Sequence, residues 1–444
     1  MHHMAAGNIV RSLGYWESIC AANARWWLGA GNMVALGAGT GPLDEAAYQA
    51  ALRILFERHP LLQCRLDIGT DGLHFVQDVA FEDIPLHMHH VESEDELIHV
   101  WEQMLHDELP DRHRLWEPLF APSRDGSTWR VLLKLHHSIA DGRSLGHLLE
   151  QFVEIAASVL RGESPRQEIV AIPPPSEHRL AEGNTTAAMN AAFEAAGGQP
   201  EITPWPIDHE ADLECRRGRI AFRSLDAESC SRIVATCHEH GVTLLSAFAA
   251  AAAITHARHV GGPVDTDSVI PVDLRRFFET TPPRDELHMG ATCVEVHLNG
   301  VRPDDDLWQV ATRFKAELAS AIVPEIMPPT DFTAADLKAA TEGWADVDGR
   351  YRHGWCLTNI GKLDWTGDHS PLTTERVEMT ASVHFGGFPM LIPILTHKGI
   401  LRVGFTWAEP LMARTTANGW IDDIWKTFTA VADGCTTEHP MPRL

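Results

Sequence analysis

The sequence predicts an α/β (α+β) fold, and three observations carry that reading. Segments with apolar residues at helical spacing and segments of strict alternation occur together in both halves of the chain. The apolar fraction of 44% and the charged fraction of 22% are those of a globular protein. At 444 residues the chain exceeds one ordinary core, which suggests two domains of roughly 200 residues each.

Taken in order, Leu43, Ala47, Ala51, Ile54 and Leu55 share one helical face. That helix should end near Arg58-His59, because Pro60 disfavours helical geometry in the residue before it. Leu61 to Leu66 and His74 to Val79 alternate like two strands around Gly69-Thr70-Asp71-Gly72. Ser93 to Leu105 reads as a helix with Leu97, Trp101 and Leu105 inward. Trp129 to Leu135 is a buried strand that runs into His136-His137. Ser144 can cap a helix to about Leu160, with Leu145, Leu148, Leu149, Phe152 and Ala156 on its inner face.

Gly162 to Gly218, with Pro173-Pro174-Pro175, Gly197-Gly198 and Pro204-Trp205-Pro206, resembles a connection between halves, with a weak helix around Thr186 to Ala195. Strands follow at Arg219 to Phe222, Ser268 to Val272, Thr292 to Leu298 and Val377 to His384. Met390 to Thr396 and Leu401 to Trp407 form a hairpin around Lys398-Gly399, and Thr243 to His256 is an Ala-rich, buried helix. The expected division is an N-terminal lobe over 1–175, a linker over 176–215 and a C-terminal lobe over 216–444. No internal repeat and no low-complexity tract interrupts the pattern.

Composition excludes several partners. A net charge of -25 and the lack of a long basic run argue against nucleic acid, whose binders need a basic face. The longest apolar stretch, Leu244 to Ala253, is too short for the about 20 residues of a membrane span. Met1-His2-His3-Met4-Ala5 lacks the basic start and apolar run of a secretory signal, and the eight cysteines are scattered without a C-x-x-C pair. A reduced, cytoplasmic monomer is the expectation.

The densest chemistry lies in His136-His137-Ser138-Ile139-Ala140-Asp141-Gly142. Transfer of an acyl group needs a base that takes the nucleophile's proton, and an imidazole with a pKa of about 6.5 can take and return one. Adjacent histidines at a strand end point to opposite faces, so one can enter a cleft while the other packs inward. Gly142 permits a tight return into the next helix.

This run resembles the HHxxxDG motif of the coenzyme A- and carrier-protein-dependent acyltransferase superfamily. That group includes peptide-synthetase condensation domains, alcohol acetyltransferases and mycocerosyl-type transferases. Companion stretches resemble the family in the same order: Arg11-Ser12-Leu13-Gly14 with Glu17, Arg58-His59-Pro60-Leu61-Leu62, Pro271-Val272-Asp273-Leu274-Arg275 and Leu357-Thr358-Asn359-Ile360-Gly361. The last resembles the alcohol-acetyltransferase and mycocerosyl-transferase branches. The DFGWG motif of the plant branch is missing; Val403-Gly404-Phe405-Thr406-Trp407 is its poor nearest match.

The resemblance implies two chloramphenicol-acetyltransferase-like lobes set as a V around a central channel. It implies His137 as the catalytic base and His136, Asp141, Gly142 and Arg275 as structural residues at the active site, with Arg275 paired to Asp141. Breaking that pair, if buried, would cost roughly 3–5 kcal/mol. Asn359 and Ser382 are candidates for binding substrate or the oxyanion. The implied donor is a coenzyme A or phosphopantetheine thioester, either acyl-coenzyme A or an acyl carrier protein. The implied acceptor is a small-molecule hydroxyl or amine, with O-acylation favoured and no permanently bound cofactor.

Blander readings stand beside these. His136-His137 could be a satisfied pair at a strand end, Asn359 a turn residue, Ser382 a packed strand residue and Arg275 a surface charge beside Arg276. Metal binding by His136, His137 and Asp141, as in a metal-dependent hydrolase, is disfavoured because adjacent histidines on opposite faces chelate one ion poorly. No metal is therefore expected. His87, His89 and His90, and Cys237-His238-Glu239-His240, read as structural. The rival functions are a stand-alone condensation enzyme using a carrier-bound donor, and an inactive binding scaffold of the same fold.

Overall fold

A computed structural model describes residues 8–69, 72–165, 168–195, 201–343, 345–346 and 349–430. Among these residues the strands build four sheets, of which two organise the molecule. The first has five strands in the order Thr373–Ala381, Met33–Thr40, Thr128–Leu135, Trp116–Phe120 and His87–Met88. The second has six, in the order Ala291–Val301, Val264–Asp273, Trp355–Lys362, Leu391–His397, Ile400–Glu409 and Arg217–Leu225.

Alternation assigns the faces of the five-stranded sheet. Along Met33–Thr40, Met33 and Ala35 join a core with the helices Glu45–Arg58 and Gly142–Leu160. Val34, Leu36 and Ala38 join a second core with Leu97, Trp101 and Leu105 of the helix Glu94–His106. Ile220, from the six-stranded sheet, enters that second core, so the helix is wedged between the two sheets. The six-stranded sheet carries the largest core, filled by Leu244–Val260, which is buried from Leu245 to Ala257.

The two sheets do not partition the chain by sequence. Thr373–Ala381 lies far beyond residue 216, yet it pairs antiparallel with Met33–Thr40 in the first sheet. Gly39 makes this insertion sterically feasible: a Cβ there would sit 1.8 Å from the Thr373 carbonyl oxygen.

Several boundaries differ from the sequence expectation. Leu61 and Leu62 are not in a strand; Pro60 opens a 3-10 turn over Pro60–Gln63, and the strand begins at Cys64. Thr70 and Asp71 of the expected turn lie outside the described residues. The helix after the histidines is capped by Asp141, whose carboxylate accepts the Ser144 N–H at 2.8 Å, not by Ser144. The strand expected to reach His384 ends at Ala381. Lys398 and Gly399 both have positive φ, 50° and 79°, as a two-residue turn between right-twisted strands requires. No single helix among the described residues is long and apolar enough to cross a membrane.

Candidate active site

The strand Thr128–Leu135 delivers its last residues to the seam between the sheets, and the loop that follows is pinned at both ends. His136 N–H donates to the Leu115 carbonyl at 2.8 Å, and Asp141 N–H donates to the His288 carbonyl at 3.2 Å. His136 turns inward and is fully buried. Its Nδ1 accepts the Ser138 N–H at 3.2 Å and lies 2.7 Å from Ser138 Oγ. That places the ring proton on Nε2. Burial, with His137 and Arg25 adding to it against the charge of Asp111, lowers its pKa to about 4.

His137 turns the other way. It is half-buried and lines a cavity of about 200 Å³ with Asp141, Gly142, Leu145, Pro271 and Thr358. Burial is the largest influence on its ring and lowers its pKa below 6.5, against the nearby carbonyls of His137 and Ala140 and the charge of Asp141. The ring is therefore neutral at neutral pH, and its Nδ1 has no well-formed hydrogen bond.

Asp141 spends its oxygens elsewhere. Oδ1 caps the helix through Ser144 N–H and accepts Arg275 Nη2 at 3.1 Å. Oδ2 accepts Arg275 Nη1 at 2.7 Å and the Gly290 N–H at 3.0 Å. Burial alone would raise this carboxyl's pKa, but the Arg275 guanidinium holds it well below the usual carboxylate range. Arg275 also donates to Ser144 Oγ at 2.8 Å and to Asp273 Oδ1 at 3.0 Å. The Asp141–Arg275 pair thus ties the histidine loop to the strand Val264–Asp273 of the other sheet. Gly142 does not use left-handed backbone freedom; a Cβ there would come within 3.2 Å of Ile360, so its role is close packing against Trp355–Lys362.

Comparison with protein families matches residues 33–203 to the wax ester synthase/diacylglycerol acyltransferase catalytic domain. Residues 217–383 match the C-terminal region of phthiocerol/phthiodiolone dimycocerosyl transferase. Among solved structures, polyketide synthase associated protein 5 from Mycobacterium tuberculosis aligns at 18% identity, over 97% of this chain and 99% of that one, with a TM-score of 0.65. The trichothecene 15-O-acetyltransferase of Fusarium sporotrichioides aligns at 13% identity over 95% of each chain, with a TM-score of 0.72. The chain belongs to the condensation/acyltransferase superfamily. The starter condensation domain of rhizomide synthetase, in complex with C8-CoA, aligns at 13% identity over 95% of this chain and 94% of that one, with a TM-score of 0.67. At such identities these structures establish the fold, chloramphenicol-acetyltransferase-like with two lobes in a V. Comparison with curated protein sequences gives no match.

Within this superfamily member, the other sequence candidates fall in different places. Ser382 lines the His137 cavity, but its hydroxyl donates to the Gly29 carbonyl at 2.6 Å. Asn359 is not brought to the cavity; its neighbours Thr358 and Ile360 line it. The Asn359 carboxamide oxygen accepts the Gly361 N–H at 3.1 Å, across the bulge in that strand. His87, His89 and His90 are exposed around a two-residue strand.

Sequence reasoning missed the helix Tyr15–Trp26, which contributes Trp16, Ile19, Cys20 and Asn23 to the cavity wall. Their i, i+3, i+4, i+7 spacing was the available signal. The opening segment anchors this helix: Arg11 pairs with both Glu17 oxygens at 2.7 Å, and Glu17 accepts the Gly14 N–H at 2.7 Å. Three cysteines, Cys20, Cys293 and Cys356, also reach the cavity. Burial pushes Cys293 up to about 12, with Glu295 adding to it, and raises the other two further. Protonated thiols are poor nucleophiles, which leaves His137 as the basic group among the described residues that line this space.

Proposed function

We propose that this acyltransferase-family chain moves an acyl group from a coenzyme A or phosphopantetheine thioester to an acceptor hydroxyl, with His137 as general base. The observation that carries the reading is a neutral imidazole on a cavity wall whose neighbouring carboxylate is already committed to Arg275. The alcohol gives its proton to the ring as its oxygen bonds to the thioester carbonyl carbon. The tetrahedral adduct then collapses, the carbon–sulfur bond breaks, and the departing sulfur takes the proton back from the imidazolium. Asp141 and Arg275 position the loop and take no proton. The Thr358-Asn359-Ile360-Gly361 stretch favours O- over N-acylation by its resemblance to the alcohol-acetyltransferase and mycocerosyl-transferase branches.

His137→Ala is expected to lower turnover about a hundredfold or more with little change in melting temperature. Since burial depresses the pKa of His137, the acidic limb of the kcat/KM profile should have its midpoint below 6.5. Near-wild-type turnover in the folded variant would remove His137 from the mechanism. Parallel assays with acyl-coenzyme A and an acylated carrier protein identify the donor.

A further inference from the structure

A second cavity, of about 780 Å³, adjoins the His137 cavity and shares Trp16, Val269 and Cys293 with it. Its walls are largely apolar: Tyr15 and Trp16, Met189, Val323 and Ile326, and Ala340 come from four separate segments. Its floor is the half-buried face of the edge strand of the six-stranded sheet. Along Ala291–Val301, Cys293, Glu295 and His297 point into the cavity, while Val296 and Leu298 enter the core.

The charge on this surface is net negative. Among the described residues that line it there is neither lysine nor arginine, while Glu295 and Asp336 are carboxylates. His353, also in the lining, is clamped from both ring nitrogens. Nδ1 lies 3.2 Å from Asp267 Oδ2 and 3.7 Å from Glu295 Oε1, and Nε2 donates to the Gly343 carbonyl at 3.3 Å. A ring donating at both nitrogens is an imidazolium and has no lone pair for a metal. Burial would lower its pKa, but the hydrogen bond to Asp267 and the nearby carboxylates raise it on balance. One cation thus lies beside the two carboxylates Asp267 and Glu295, and Asp336 adds a third carboxylate to the lining. Tyr15, pushed up to about 12 by burial and by Asp336, keeps its hydroxyl proton.

We infer that this cavity receives the acceptor, and that the acceptor is a bulky, mostly apolar alcohol or amine that is neutral or cationic. The inference rests on the acyl-transfer reading above and deepens it. The thioester donors considered there carry phosphates, and a low-dielectric pocket of net negative charge, without lysine or arginine among its described lining residues, opposes them. The volume suits a body of drug-like size, and the shared Trp16–Val269–Cys293 wall puts one end of such a body beside the His137 cavity.

The test is equilibrium binding to the full chain by calorimetry, with 1-octanol, 8-amino-1-octanol and 8-hydroxyoctanoate as probes of equal length and different charge. The neutral and cationic probes should bind, with the anion roughly tenfold or more weaker. Glu295→Lys should reverse that order, with Glu295→Gln intermediate. Ala340→Trp, which fills the cavity from a half-exposed helix position, should abolish binding of all three. Titration with coenzyme A should be unaffected by Ala340→Trp. Equal binding of the anion, binding of none of the probes, or loss of coenzyme A binding in Ala340→Trp would each overturn the assignment. If coenzyme A does not bind the wild type, the octyl probes alone decide. Because binding requires no turnover, the result stands apart from the fate of His137→Ala.

Discussion

At the scale of single residues, the site is built on a division of labour between two acid–base groups four positions apart. His137 faces the cavity with little to hold it, whereas Asp141 accepts from Ser144, Gly290 and both guanidinium nitrogens of Arg275. Both members of the Asp141–Arg275 pair are mostly buried, with side-chain exposures of 7% and 15%. Removing one partner leaves an unpaired buried charge, so Asp141→Ala or Arg275→Met is expected to cost roughly 3–5 kcal/mol in urea unfolding. Asp141→Ala also loses the helix cap, worth roughly 1 kcal/mol, and should be the worse of the two. Loss of activity in these variants should track loss of folded protein. A well-folded Asp141→Ala with normal stability would show that the pair does not tie the loop to the second sheet.

At the scale of elements, the strand Met33–Thr40 decides how the two sheets are joined. It is buried along nearly its whole length and pairs with Thr128–Leu135 on one side and Thr373–Ala381 on the other. Gly39→Ala places a methyl against the Thr373 carbonyl, a backbone atom that cannot rotate away, so the incoming strand must shift. The expected result is a loss of several kcal/mol, read as a lower urea midpoint, since overpacking of this kind typically costs roughly 1–3 kcal/mol and backbone displacement adds to it. Unchanged stability would mean that the insertion tolerates a wider spacing. The same strand shows why parts of the fold were not legible beforehand. Met33-Val34-Ala35-Leu36-Gly37-Ala38-Gly39-Thr40 has two glycines and no alternation of polar with apolar, because both faces are buried; its glycines admit Leu149 on one face and the Thr373 backbone at the edge. By contrast, helices with one wet face, such as Glu45–Arg58 and Glu94–His106, follow from periodicity to within a few residues. The helix Gly142–Leu160 follows from the same periodicity, whereas the strand before it, buried on both faces from Val131, is read from its apolar run. The cavity walls supplied by Trp16, Cys293 and Glu295 were not, since they depend on which distant segments the sheets bring together.

At the scale of the whole molecule, the distribution of buried histidines makes stability a function of pH. His59 and His136 are held at about 4, and His256 and His384 at about 3, in each case chiefly by burial. They sit in four different places: His59 beside Gln151 in the first core, His136 in the histidine loop, His256 against Trp205, and His384 against Gly218 and His106. Below about pH 6.5 the unfolded chain protonates these rings while the folded chain does not, so the unfolded state binds more protons and folding stability falls as pH falls. At pH 5 each contributes a loss of roughly 2 kcal/mol. Glu177, raised to about 7 by burial, and His353, raised by its carboxylates, bind protons in the folded state first and act in the opposite direction. These four histidines, joined by His106, His137, His369 and His397, which are also lowered chiefly by burial, outweigh Glu177, His353 and the raised Glu378, so the urea midpoint should drop steadily from pH 7 to pH 5. His256 isolates the effect, because its ring stacks on Trp205 with centroids 3.6 Å apart and a phenylalanine can keep that contact without titrating. His256→Phe should therefore reduce the slope of stability against pH by about one proton over this range. A slope identical to wild type would mean that the His256 ring takes up its proton within the folded chain, and that the stack on Trp205 opens to admit water.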